Sequence, residues 1–407
     1  MSDKAPSSIG SRTSDQGPAA TIPHLTMSLG GWCKAFQQPY LTLSEWRPAY
    51  YVQESIVAAA DRRTRAVIIE RPTMFAGRLR DGTLLPPNGF ACTGDGFLIY
   101  QGLTGRDYAP TDDMPGYAKG IDAEGRFLLA DIQPARDITD QCVYFGGQTN
   151  FGHFLFQNLL RLAAVERMPE LRKLPIAVHE DLPARYLDFL ELLGYPGSRR
   201  IAIPSNRPTR FSYVWLLSSP MYKGPKEETR IWPEAIWWAK AAMARAVSPR
   251  TGNRRRIFIA RDPGQWRRIV NSADVMNILG RYRVDPVDFA AMSAADQVAE
   301  AASAEIIVSV LGAGSAISLF SQPDCVQVEL APPNFLGFFG PIGFAAITGQ
   351  PHERIVGAVA TAQDVAAAGL PPSTSRNIID ADFVVDCRQL AEVLDAAVRY
   401  CKRPRPI

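Results

Sequence analysis

Between residues 32 and 140 the apolar positions come in short runs, such as 66–70 and 97–100, separated by Gly, Pro and Asp. That punctuation predicts an irregular, strand-rich opening region. From residue 142 the period changes. A short strand (142–145), a helix (151–167), a strand (174–179) and a helix (184–193, ended by Gly194) follow in order, with further strands at 200–203 and 213–217. The alternation predicts a parallel sheet with crossover helices. A long helix opened by Pro233 runs to about Val247, where Ser248 and Pro249 break it.

After 248–253 the alternation restarts. Strand 256–260, helix 272–279, strand 282–284, helix 294–302, strand 305–310, a glycine turn, helix 316–320 and strand 326–330 succeed one another. The expected fold is therefore α/β, with two doubly wound halves facing each other. A last helix over 388–400, capped by Asp386, carries apolar residues at Leu390, Val393, Leu394 and Val398. Four segments are expected: a disordered tail over 1–30, a first domain over 31–248 that includes the strand-rich region, a second over 249–375, and a C-terminal helix within 376–407 that packs back.

Composition narrows the function class. With 44 basic against 41 acidic residues, the net charge of +3 in 407 residues does not suggest a nucleic-acid binder. No run reaches the roughly 18 apolar residues of a membrane span, which leaves peripheral association as the expected membrane contact. Six scattered cysteines without a C-x-x-C pair, and an N-terminus without signal-peptide features, point to a reduced, cytoplasmic protein.

The segment 305–330 carries the clearest chemistry. A buried-type strand runs into Leu311, Gly312, Ala313 and Gly314, and a helix is expected from about Ser315. Strand, glycine turn and helix form an anion-binding geometry, because unpaired N–H groups and the positive helix end favour phosphate; the alternative is a plain tight turn. Upstream, Arg261 follows a strand, and Arg267, Arg268 and Asn271 lie in the next loop. Arg261 and Arg268 are the stronger diphosphate candidates, since guanidinium forks match its oxygens, whereas Arg267 reads as part of a solvated loop. Glu329 ends the following strand, where a carboxylate can meet ribose hydroxyls, and Gln297 reads as structural. In the first half, G-G-Q-T-N-F-G-H places His153 in the first turn of a helix after Thr149 or Asn150, with Gln157 and Arg161 on the same side. A helix N-terminus disfavours the imidazolium, so the ring stays neutral and able to take a proton.

Taken in order, the N-x-x-H-F segment (Asn150, His153, Phe154), Arg261 followed by R-R-x-x-N (Arg267, Arg268, Asn271), Gln297, the G-A-G turn and Glu329 resemble the family 61 glycosyltransferases over about residues 144–332. That family includes bacterial capsular-polysaccharide enzymes and eukaryotic xylosyl- and N-acetylglucosaminyltransferases. The resemblance implies a GT-B-like fold and an inverting transfer without a metal, in keeping with the lack of a convincing D-x-D motif. Leu311 stands where the family commonly has His. The implied assignment is His153 as catalytic base, with Arg261, Arg268, Asn271, Gly312, Ala313, Gly314, Ser315 and Glu329 binding the donor. No metal and no cofactor are expected beyond the nucleotide-sugar substrate. The acceptor is expected to be a cell-surface polysaccharide or glycolipid, met at the inner face of the membrane. The alternatives are a non-catalytic nucleotide- or glycan-binding protein on the same fold and, further off, a dinucleotide-dependent oxidoreductase.

Overall fold

The computed structural model describes residues 21–54, 56, 64–86, 90–99, 117–223, 229–252, 254–259, 266–335, 340–372 and 378–403. Two α/β sheets dominate, and the strand Thr209–Leu217 is the seam of the first. On one side of it lie the parallel strands Cys142–Gly146, Ile176–His179 and Arg200–Ile203, in that spatial order. The central two are buried along their whole length, which is why they read as continuous apolar runs rather than alternating ones. On the other side Met74–Leu85 pairs antiparallel over eight registered positions, from Thr209 opposite Leu84 to Leu217 opposite Ala76.

The strand-rich opening region gives most of its strands to one twelve-stranded mixed sheet, while Arg47–Glu54 and Thr64–Arg71 pair in a separate four-stranded sheet. The quartet is parallel, as expected from residue 142 onward. The expected tail does not extend to residue 30. Thr21–Met27 pairs with both Phe97–Ile99 and Phe127–Ala130, and Ser28 then caps the helix Leu29–Ala35 by accepting from the Gly31 N–H.

The second sheet agrees with the reading of an open, doubly wound unit. Its five strands are all parallel, in the order Val284–Val287, Arg255–Ile259, Ala304–Val310, Val326–Ala331, His352–Val356. One face buries Val308, Val328 and Leu330 against Val275, Leu279, Leu390 and Leu394 of the helices Ser272–Arg281 and Cys387–Cys401. The latter is the expected C-terminal helix, and Asp386 caps it through the Arg388 and Gln389 N–H groups. The opposite face carries Ile257, Ile259 and Ile307 into the same hydrophobic cluster as Phe154, Phe189 and Trp232 of the first half. The halves therefore share a core. Phe189 stacks on Phe320 with ring centroids 6.2 Å apart, and Phe156 meets Phe344 at 4.3 Å.

Candidate active site at the junction of the two sheets

The strand Cys142–Gly146 ends at the carboxyl edge of the parallel quartet, the side on which open α/β sheets place ligands. Gly146 has φ +72°, in the left-handed region that glycine enters without strain, and this turns the chain out of the sheet. The loop that follows is fastened from beneath by buried side chains. Asn158 donates through Nδ2 to the Phe145 carbonyl (3.0 Å) and accepts from the Gln148 N–H (3.1 Å). Arg161 donates to the same Phe145 carbonyl at 3.2 Å. His179 Nδ1 lies 3.1 Å from the Gly147 carbonyl, its Nε2 lies 3.3 Å from the Tyr144 hydroxyl, and the Tyr186 hydroxyl donates to the Thr149 carbonyl at 2.9 Å.

Burial sets the electrostatics of this support. It lowers Arg161 to about 10 and raises Tyr144 to about 12, each opposed by the other's charge. It also lowers His179, against the pull of the Gly147 carbonyl, so His179 is held neutral with Nδ1 donating and Nε2 accepting. None of Asn158, His179 or Tyr186 stood out in the sequence, because each acts on backbone atoms whose proximity only folding creates.

Asn150 then caps the helix by accepting from the His153 N–H at 3.2 Å. His153 itself is exposed. Its Nδ1 faces Gln157 Oε1 at 3.2 Å. The helix is not regular here: Phe154–Asn158 forms a π turn and Leu159–Arg161 a 3₁₀ turn before α geometry resumes at Leu162–Arg167. Single π turns inside helices recur at functional sites.

Across the junction, Leu311 leaves the strand Ala304–Val310 fully buried, bonded through its N–H to the Leu330 carbonyl. Gly312 is extended (φ 162°, ψ −164°), and Ala313–Phe320 is a 3₁₀ helix rather than the α-helix expected from about Ser315. The hydroxyls of Ser315, Ser318 and Ser321 each donate back to the carbonyl three residues earlier, at 2.7 Å. Serines spaced by three suit a helix with three residues per turn, and that spacing was a readable signal. It also commits the buried Ser315 hydroxyl to the Gly312 carbonyl, which accepts from the Ser315 N–H as well at 3.2 Å.

The two elements meet. A β-carbon added to Gly152 would lie 3.3 Å from Ala313 Cα and 3.7 Å from Ala313 Cβ, so the first turn of the His153 helix rests on the G-A-G turn. Two residues far apart in the chain, Gly152 and Ala313, are thereby packed side by side.

The remaining donor-side candidates are placed differently from expectation. Arg268 is buried, with Nε and one terminal nitrogen on the Asp382 carboxylate (3.0 and 2.6 Å) and a further bond to the Pro371 carbonyl. The hydrogen bond to Asp382 raises its pKa above the ordinary value. Asn271 pairs with Val385 through both its amide groups (2.9 and 3.0 Å). These two residues therefore dock the chain's own segment around Asp382 and Val385, and Asn271 uses its whole side-chain amide there. Glu329 is fully buried. Burial pushes its carboxyl up, but His352 (3.5 Å) and Arg354 (2.7 Å) together hold it below the ordinary value. Gln297, as expected, is structural and donates to the Phe289 carbonyl at 2.7 Å. Arg261 lies outside the described residues.

Arg267, read from sequence as part of a solvated loop, is instead buried beside the turn. It donates to the Leu311 carbonyl at 3.2 Å and approaches Asp380 at 3.7 Å, with a left-handed backbone (φ +59°) that is costly for a non-glycine residue. Burial lowers its pKa, opposed by Asp380. Among the described residues no cluster of three or more His, Cys, Asp or Glu is placed to hold a metal, and no helix is long and apolar enough to cross a membrane.

This constellation coincides with the segment that comparison with known families singles out. The family model described as Glycosyltransferase 61 matches residues 151–328, which run from the start of the His153 helix through the G-A-G turn into the Glu329 strand. Over that segment the chain is similar to family 61 glycosyltransferases, and the match supports a glycosyltransferase. No curated protein matches it. Among solved structures it is similar to a dodecameric, iron-containing heptosyltransferase, TibC, described in complex with ADP-D-β-D-heptose. The identity is 10%, the TM-score is 0.30, and 96% of this chain and 99% of that one are covered.

Proposed function

We propose that the protein is an inverting, metal-independent glycosyltransferase that moves a sugar from a nucleotide-sugar onto a hydroxyl of a cell-surface polysaccharide or glycolipid, from the cytoplasmic side of the membrane. The observation that carries this reading is the contact between Gly152 and Ala313, which brings the helix bearing the exposed His153 against the glycine turn. In this reading residues 31–248 form the acceptor domain and residues 249–375 the donor domain.

His153 takes the proton of the acceptor hydroxyl as the oxygen attacks the anomeric carbon from the face opposite the leaving group. The C–O bond to the nucleoside diphosphate breaks, and configuration inverts. Charge on the departing diphosphate is met by backbone N–H groups of the turn Gly312, Ala313 and Gly314 and by Arg261. Preorganised donors of this kind stabilise developing charge without reorganising during the reaction.

Screening nucleotide-sugars for transfer or slow hydrolysis identifies the donor, and His153→Ala then tests the mechanism. Turnover is expected to fall about 10²–10⁴-fold with donor affinity unchanged, and the rate is expected to survive EDTA. A folded variant with undiminished turnover removes His153 from the mechanism, and loss of activity on chelation, restored by Mn²⁺, removes the metal-free route.

A further inference from the structure

The π turn places two adjacent amides against the two ends of one problem. Gln157 lies four residues after His153, and its Oε1 faces His153 Nδ1 at 3.2 Å. Asn158, one residue further and buried, points to the other side and holds both Phe145 O and Gln148 N, the backbone that leads into the same helix. In a regular α-helix successive side chains are 100° apart, and the wider turn over Phe154–Asn158 is where this pair sits. One amide contacts the imidazole, and the next contacts the loop that positions its helix.

An imidazole has two neutral forms, and only the nitrogen without hydrogen can accept a proton. The partner of the other nitrogen decides between them. A carbonyl oxygen at Nδ1 is an acceptor, so it places the hydrogen on Nδ1 and the lone pair on Nε2. Gln157 is half-buried while His153 is exposed, so the partner's position is the better fixed of the two.

We propose that Gln157 is a positioning residue that fixes His153 in the Nδ1–H form, with Nε2 presented to the acceptor hydroxyl, while Asn158 fixes the helix against the loop. This rests on the reading of His153 as the base. A neutral amide sets the tautomer without adding a negative charge beside the ring. A carboxylate in its place would set the same tautomer but favour the imidazolium, leaving less unprotonated base near neutrality.

Imidazole ¹⁵N NMR tests this on the whole protein without any substrate, because the chain has only four histidines, at positions 24, 153, 179 and 352. His153→Gln assigns the resonances by loss of one pair. The wild type is expected to show His153 with a protonated Nδ1 and an unprotonated Nε2 at pH 8. Gln157→Ala should return it toward the Nε2–H form that prevails in free histidine, with the other three histidines unchanged. Gln157→Glu should keep the Nδ1–H form and move the ring's titration midpoint up by about one pH unit or more, with the acid limb of the turnover profile moving in parallel. A wild-type ring already in the Nε2–H form, or a tautomer indifferent to Gln157→Ala, overturns the assignment. The base reading fails separately: His153→Ala would then keep full turnover whatever the tautomer.

Discussion

Gly152 and Ala313 approach so closely that a β-carbon on the former would sit 3.3 Å from the α-carbon of the latter. The neighbour there is backbone, flanked by the extended Gly312 and a 3₁₀ helix whose residues from Ser315 to Phe320 are buried, so it has little room to yield. The contact registers the helix that carries the candidate base against the proposed donor turn.

Gly152→Val is therefore expected to separate the two elements. Overpacking of this kind costs about 1–3 kcal/mol in stability, and a displacement near 1 Å between base and donor can lower turnover on the order of 10²-fold. Turnover measured beside thermal unfolding checks it. A variant with normal kcat and an unchanged melting temperature would show that the halves are not registered through this point.

Arg268→Ala should act mainly on stability. The guanidinium is buried, and its removal leaves the Asp382 carboxylate without its partner, a change that costs about 3–5 kcal/mol for buried pairs. Asp382→Ala should destabilise similarly, and the double variant should lose less than the sum of the two. Urea unfolding of the four proteins measures the coupling. Additive losses, together with nucleoside diphosphate binding weakened by Arg268→Ala alone, would return Arg268 to the donor site.

Acid should weaken the fold through His179. Its pKa in the folded protein is lowered from 6.5 by burial, so the unfolded chain binds the proton first as pH falls. The unfolded state then holds more protons than the native one, and stability declines from about pH 6.5 downward until the native ring also titrates. Above pH 6.5 both states are neutral and this contribution is complete. Denaturant unfolding between pH 5 and 8 should show that slope in the wild type and a shallower one in His179→Gln, which keeps a polar group for the Gly147 carbonyl. Equal slopes in the two proteins would place the acid sensitivity elsewhere.

Much of the architecture was legible in the residue pattern. Largely apolar runs such as 142–145 and 305–310 announced buried strands, and Asp386 announced the last helix, because both signals depend on neighbours within a few residues. The R-R-x-x-N motif was legible as a motif but not as a structure. From the chain alone Arg268 looked like a phosphate ligand and Arg267 like solvated surface. Their roles depend on segment 380–386, more than a hundred residues away, whose Asp382 and Val385 take up Arg268 and Asn271.

Local chemistry was thus written in the chain: His153 at a capped helix start, glycines after a strand, and serines spaced for a 3₁₀ turn. Those features follow from backbone sterics and hydrogen bonds spanning three or four residues. Folding settled which of them meet. It set Gly152 on Ala313, aimed Asn158, His179 and Tyr186 at one loop, and turned Arg268 inward to Asp382. Each of these is a contact across a long stretch of chain, created when two sheets bury a shared core, and no local pattern encodes which distant partner will neutralise a charge or accept a hydrogen bond.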